Sequence, residues 1–154
     1  MELIVKHLEN VKFAVQARGH EVICDQPLDN GGMDTGMTPP EFLLASLGTC
    51  AGFYAAQYLR TRSLPTEGLE VRVSAEKALG PARLASFQIE VSVPEIEERH
   101  KEGVLRAVKS CLIHNTLLNS PEIGIAVHTD HERELKSVRT WCQLSPGSTR
   151  TLLA

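Results

Sequence analysis

The chain has 154 residues, 42% hydrophobic and 23% charged, with a formal net charge of −3. That is the size and make-up of one ordinary globular domain, able to bury about 70% of the surface its unfolded chain exposes. A slightly acidic balance gives no electrostatic ground for nucleic acid or an anionic lipid surface, so neither is expected as a partner.

The first residues, Met1-Glu2-Leu3-Ile4-Val5-Lys6-His7, lack a basic stretch followed by a long apolar core. The protein is therefore expected to be cytoplasmic, where structural disulfides are disfavoured. Residues 2–6 and 11–17 read as strands, and the second alternates apolar and polar side chains as a sheet with one covered face requires. Arg18-Gly19-His20 makes a turn, and Glu21 to Cys24 gives a third short strand of a meander. Residues 25–38 are dominated by turn formers and read as a loop.

Thr38-Pro39-Pro40-Glu41 reads as a helix start, with Thr38 as N-cap and Glu41 three residues on as in a capping box. The helix is expected to run to Arg62 and is apolar or small on every side, so most of it should be buried. Its most apolar part, 42–56, is too short to span a bilayer and contains Gly, Ser and Thr. Gly48, Gly52 and Ala56 lie one turn apart. Each helical glycine costs about 1 kcal/mol relative to alanine, and close approach of another helix is the expected compensation.

Residues 63–68 break the helix. Leu69–Lys77 and Phe87–Val93 alternate strictly and form an expected antiparallel pair across a loop at 78–83. Helical segments follow at 95–109 and 111–118, then a last strand at 123–128. The 131–154 extension is charged, then rich in Ser, Thr and Gly, and is expected to be only partly ordered, tacked down by Trp141 and Cys142. The order is β-β-β-α-β-β-α-β, an α+β pattern. A helix apolar all round is hard for one short chain to cover, and a symmetric dimer covers it.

The cysteines are Cys24, Cys50, Cys111 and Cys142, with no C-x-x-C pair and no zinc-finger spacing. No metal or cofactor is expected. Cys24 reads as core and Cys142 as incidental. Cys50 and Cys111, each on a helix-like segment, read as a pair brought together by folding, which raises thiol redox chemistry.

The run Gly31-Gly32-Met33-Asp34-Thr35-Gly36-Met37-Thr38-Pro39-Pro40-Glu41-Phe42-Leu43-Leu44-Ala45-Ser46-Leu47-Gly48-Thr49-Cys50, with the later Ser110-Cys111-Leu112-Ile113-His114-Asn115-Thr116-Leu117, resembles the OsmC/Ohr family of osmotically inducible and organic hydroperoxide resistance proteins. The resemblance implies an OsmC-like domain over residues 1–130. Its antiparallel sheets would wrap around a long buried central helix in an intertwined homodimer. It also implies a thiol peroxidase that takes small organic hydroperoxides and is recharged by an external thiol or dithiol. By resemblance Cys50 matches the peroxide-attacking cysteine and Cys111 the resolving one. The catalytic subgroups use an arginine of the N-terminal sheet, for which Arg18 is the one candidate before Arg60, and a glutamate near the cysteine helix, matched by Glu41. In the hydroperoxide-resistance pattern a glutamate stands where this chain has Pro40, and a proline where it has Leu112. The chain is closer to the broad OsmC-like branch.

Thiolate attack on an O–O bond requires a lowered thiol pKa, whereas burial raises it. Cys50 is about three turns into its helix, beyond reach of the helix dipole. A cation is therefore expected to activate it: Arg18, oriented by Glu41, ahead of His7, His114 and Arg60. The resulting sulfenic acid would condense with Cys111. Phe42, Phe53 and Met37 are expected to line an apolar pocket for alkyl peroxides. The alternative reading is a non-catalytic OsmC-like protein, binding a ligand or sensing stress, with packed, unreactive cysteines. A metal site from Cys50, Cys111 and His114 is a third reading, for which the spacing gives no support.

Overall fold

The computed structural model describes residues 1–129. The chain opens with three antiparallel strands, β1 (Ile4–Glu9), β2 (Lys12–Ala17) and β3 (His20–Cys24), in the order β1-β2-β3. Ala17 pairs with His20 across Arg18 and Gly19, whose φ angles are 50° and 81°. Two positive φ values in a two-residue loop define a type I′ turn, the twist that suits a tight hairpin. The sheet was expected to have a covered face. In the single chain β1 is exposed along its whole length, and only Ala14 and Cys24 of the sheet are buried.

The loop after β3 is organised by Asp25, which is 1% exposed. Its carboxylate accepts from the Gln26 N–H at 2.8 Å, the Met33 N–H at 3.2 Å, and the Thr35 N–H and hydroxyl at 3.1 and 2.7 Å. Four donors on one carboxylate replace the water that burial removes. This pins a turn-rich segment in front of the long helix.

That helix, α1 (Pro39–Arg60), starts as the sequence specifies. Glu41 Oε2 accepts from the Thr38 N–H at 2.7 Å and from its hydroxyl at 2.8 Å. One face, Leu47, Gly48, Ala51, Ala55 and Leu59, is buried. The expectation of burial on every side is not met in the single chain, where Phe53 is 56% exposed. By length and composition alone α1 is apolar enough to cross a membrane. Its buried row, however, packs into the protein core with Val104 and Val108.

After α1 come β4 (Glu70–Leu79) and β5 (Ala82–Ser92), an antiparallel pair that covers α1. The connection is only Gly80-Pro81, shorter than the expected loop at 78–83. A bulge between Ser74 and Glu76 hides the first half of β5 from a period-2 reading, because the extra residue resets which side faces in. Val73 lies where a Cβ on Gly48 would fall, 3.0 Å away, and Val71 stands 3.4 Å from one on Gly52. The helical glycines therefore admit a strand, not the second helix expected from the sequence.

Helix α2 (Glu98–Lys109) packs on α1. It begins three residues later than expected because Pro94 precedes a left-handed Glu95 (φ 58°). Gly103 of α2 sits against Tyr58 of α1, so close that a Cβ would overlap the phenol hydroxyl. Tyr58 Oη and His100 Nδ1 are 3.2 Å apart, and the Arg62 guanidinium lies 3.8 Å over the Tyr58 ring. The short helix α3 (Leu112–Leu118) follows directly and touches α1.

Met1–Ser120 forms one compact unit, short of the expected boundary at 130, and Pro121 begins a second. Its described residues, 121–129, contain no helix or strand, so the strand expected at 123–128 is absent. Ile123, Ile125 and Val127 have the alternation of a strand, yet each is more than 80% exposed. Alternation supplies side chains but not the paired neighbour a strand needs. The 131–154 extension, with Trp141 and Cys142, lies outside the described residues.

Candidate active site

Cys50 lies near the middle of α1 and is half-buried; Cys111 is the residue that caps α3 and is 0% exposed. The contact between α1 and α3 brings the two thiols near one another, and each shifts the titration of the other. The first turn of α3 completes the arrangement. The N–H groups of Leu112 and Ile113 lower Cys50, and that of His114 donates to Cys111 Sγ at 3.4 Å. These are the amides a helix start leaves without intrahelical partners. Here sulfur takes them.

The two thiols are pushed in opposite directions. Burial raises Cys50, but the Cys111 S–H and the Ile113 and Leu112 N–H groups outweigh it and hold Cys50 below the ordinary 9.0. Burial raises Cys111, and donation of its proton to Cys50 raises it further, against a smaller lowering by the His114 N–H. Of the two, Cys50 therefore carries the greater thiolate character. Thiolate, not thiol, is the nucleophile.

The expectation that only a cation activates Cys50 needs correcting on one point. The donors acting on it come from the start of a second helix, α3, rather than from the distant start of its own. The sequence reading placed Cys111 as the first residue of a helical segment at 111–118; the structure starts the helix one residue later and makes Cys111 its N-cap, the position from which a side chain reaches the first free N–H groups.

Arg18 stands exposed on the β2–β3 turn, in a shallow groove with Glu2, Gln16, His20 and Glu21. Its sheet makes no extensive contact with α1. Glu41 is exposed at the start of α1, its carboxyl lowered by the Thr38 N–H and then by the Thr38 hydroxyl. Within one chain the structure thus unites Cys50 with Cys111 and leaves Arg18 on the β2–β3 turn and Glu41 in the first turn of α1, away from Cys50 in the middle of that helix. Phe53 and Met37, expected around Cys50, are 56% and 45% exposed and form no closed pocket in the single chain. Among the described residues no cluster of three His, Cys, Asp or Glu side chains is arranged to hold a metal ion. The buried Nδ1 of His114 has no hydrogen-bond partner among them.

The family model described as OsmC-like protein matches residues 31–126, which span α1, both β-strands after it, and both cysteines. The chain belongs to the OsmC-like family. Among curated proteins none matches it. A solved Psychrobacter arcticus protein, assigned to osmotic stress induction and detoxification response, is 19% identical with a TM-score of 0.68, over 74% of this chain and 85% of that one. An OsmC-like protein from Mycoplasma pneumoniae is 20% identical with a TM-score of 0.65, over 82% and 93%. A Vibrio cholerae protein assigned as an organic hydroperoxide resistance protein, with captopril bound in one of its active sites, is 14% identical with a TM-score of 0.60, over 78% and 86%. At these identities the likeness is one of fold. The α+β architecture of antiparallel sheets and a central cysteine helix is that of the OsmC-like proteins.

Proposed function

We propose that this OsmC-like protein is a thiol peroxidase that reduces organic hydroperoxides in defence against oxidative stress. It works as a cytoplasmic homodimer recharged by an external thiol or dithiol. The reading is carried by two neighbouring thiols shifted in opposite directions, the half-buried Cys50 lowered and the buried Cys111 raised, which favours Cys50 as the nucleophile. Attack of the Cys50 thiolate on the terminal peroxide oxygen forms an S–O bond, breaks O–O and releases an alcohol. Cys111 then condenses with the Cys50 sulfenic acid, forming a disulfide and water and sparing Cys50 further oxidation. Exchange with an external thiol restores the pair. Captopril, itself a thiol, in an active site of the Vibrio cholerae protein supports access of a small thiol to such a site.

Dimerisation is the reading that best accounts for the exposed apolar side chains of α1 and β1, among them Phe53, Ile4 and Val5. In the dimer Arg18 is the cation offered to the developing negative charge, and Glu41 the carboxylate that orients it. Arg18 occupies the first position of a type I′ turn, where Asn, Asp or Gly is preferred. A left-handed backbone costs an arginine about 1 kcal/mol, which favours a role for its side chain.

The test is addition of one equivalent of cumene hydroperoxide followed by disulfide mapping. A Cys50–Cys111 linkage that forms in seconds, is absent from Cys50→Ser, and slows in Arg18→Lys is the expected result. Thiols unmodified after prolonged exposure would establish the packed, non-catalytic alternative.

A further inference from the structure

Lys12 opens β2, and its side chain is only 15% exposed. A cation so covered needs acceptors in place of the water it has lost. Among the described residues its ammonium has two partners. Glu9 Oε1 lies at 3.4 Å, longer than the roughly 2.8 Å of a strong charge-assisted bond. The other partner is Met33 Sδ, at 3.9 Å, and a thioether is a weak acceptor. The ammonium therefore has donor capacity to spare, and it faces a sulfur. Met33 is held in place from its own side, because its N–H donates to the buried Asp25 carboxylate at 3.2 Å. Yet Met33 is 56% exposed, open to a small oxidant from solvent.

We propose that Met33 is a site of reversible oxidation by organic hydroperoxides, and that its sulfoxide oxygen takes the Lys12 ammonium and fastens the 25–38 loop to β2. The chemistry is separate from that of Cys50. A lone pair of Met33 Sδ attacks the terminal oxygen of ROOH. An S–O bond forms, the O–O bond breaks, and its electron pair leaves with RO, which solvent protonates to ROH. The hydroxyl now on sulfur gives its proton to solvent, leaving S=O. Sulfur is oxidised and the peroxide is reduced to an alcohol. Attack comes from the side of the sulfur open to solvent, and rotation about the flexible methionine side chain brings the new oxygen round to Lys12. A sulfoxide oxygen is a far stronger acceptor than a thioether, and with an ammonium it makes a charge-assisted bond. Methionine oxidation ordinarily weakens an apolar contact. Here it supplies the acceptor that a covered cation lacks. The loop so fastened runs into the Thr38 cap of α1, the helix that carries Cys50. Peroxide thereby tightens the approach to that helix, and methionine sulfoxide reductases reverse the change.

The experiment treats the full chain with tert-butyl hydroperoxide and then with dithiothreitol, which returns disulfides and sulfenic acids to thiols and leaves sulfoxide in place. Peptide mass spectrometry is expected to find sulfoxide at Met33, and the thermal midpoint is expected to rise by about 3 °C over the untreated protein. The rise is expected to be absent from treated Met33→Leu and Lys12→Ala, to survive in Lys12→Arg, which keeps a cation at the site, and to disappear on treatment with methionine sulfoxide reductases. A Met33 that stays unoxidised while the exposed Met1 is converted overturns the proposal. So does a Met33 sulfoxide that leaves the midpoint unchanged or lower, or a rise that persists in Lys12→Ala. The same rise is expected in Cys50→Ser, and its loss there would assign the effect to thiol oxidation and overturn the proposal as well. Peroxide turnover tests Cys50 and the thermal shift tests Met33, so the two readings fail separately.

Discussion

At the scale of single residues, the chemistry turns on where three amide protons point. A thiol inside an apolar helix is ordinarily inert, because burial disfavours its charged form. Cys50 escapes that rule through donors from Leu112, Ile113 and Cys111. Its alkylation by iodoacetamide is therefore expected to show a midpoint below the ordinary 9.0, with Cys111 modified only at higher pH. Cys111→Ala is expected to move the Cys50 midpoint upward; an unchanged midpoint would show that Cys111 does not lower it. Asp25 is the second residue whose environment defines it. Its carboxyl is lowered from 3.8 to about 2, first by the Thr35 hydroxyl and then, against the opposing effect of burial, by the Thr35, Gln26 and Met33 amides. A carboxyl lowered in the folded state stabilises fully above its unfolded value and loses that contribution as pH falls. The acid limb of a circular-dichroism titration is thus expected to steepen between about pH 4 and pH 2, and to flatten there in Asp25→Asn. Neither Asp25 nor the α3 amides were identified in the sequence, since both act through partners that only the folded loop or helix contact supplies.

At the scale of elements, α1 is positioned by shape rather than by hydrophobicity alone. Its start was legible because a capping box is local: Thr38 and Glu41 are three residues apart, and both bonds are made within that span. What its glycines accommodate was not legible, because small side chains state that something comes close and not what comes. Val71 and Val73 of β4 are the answer. The α1–α2 contact depends on Gly103 in the same way, with the Tyr58 ring clasped between α2 and Arg62. Gly103→Ala is expected to destabilise the fold by about 1–3 kcal/mol despite its better helix propensity. Chemical denaturation measures this, and the double variant with Tyr58→Ala is expected to cost less than the sum of the two single changes. Additivity within error would place the strain elsewhere.

At the scale of the whole molecule, one chain leaves a large part of its apolar surface in water: β1, the Phe53 side of α1, and the segment with Ile123, Ile125 and Val127. Surface of that extent on a folded domain calls for a partner, and the proposed homodimer supplies it. Light scattering is expected to give twice the 16.9 kDa chain mass. Phe53→Glu, which places a charge on the exposed side of α1, is expected to shift the protein toward monomer and to lower its peroxide turnover together. A monomeric wild-type protein would refute the dimer.

The sequence by itself determined the α+β class, the meander, the capped helix and the family, because hydrophobic period, turn chemistry and the motif around Cys50 are properties of neighbouring residues. Tertiary structure alone decided that the two thiols are shifted in opposite directions, Cys50 downward and Cys111 upward. That difference depends on the start of α3 meeting the middle of α1, a contact between residues some sixty positions apart, where helix-end amides and the neighbouring thiol offset the effect of burial on Cys50.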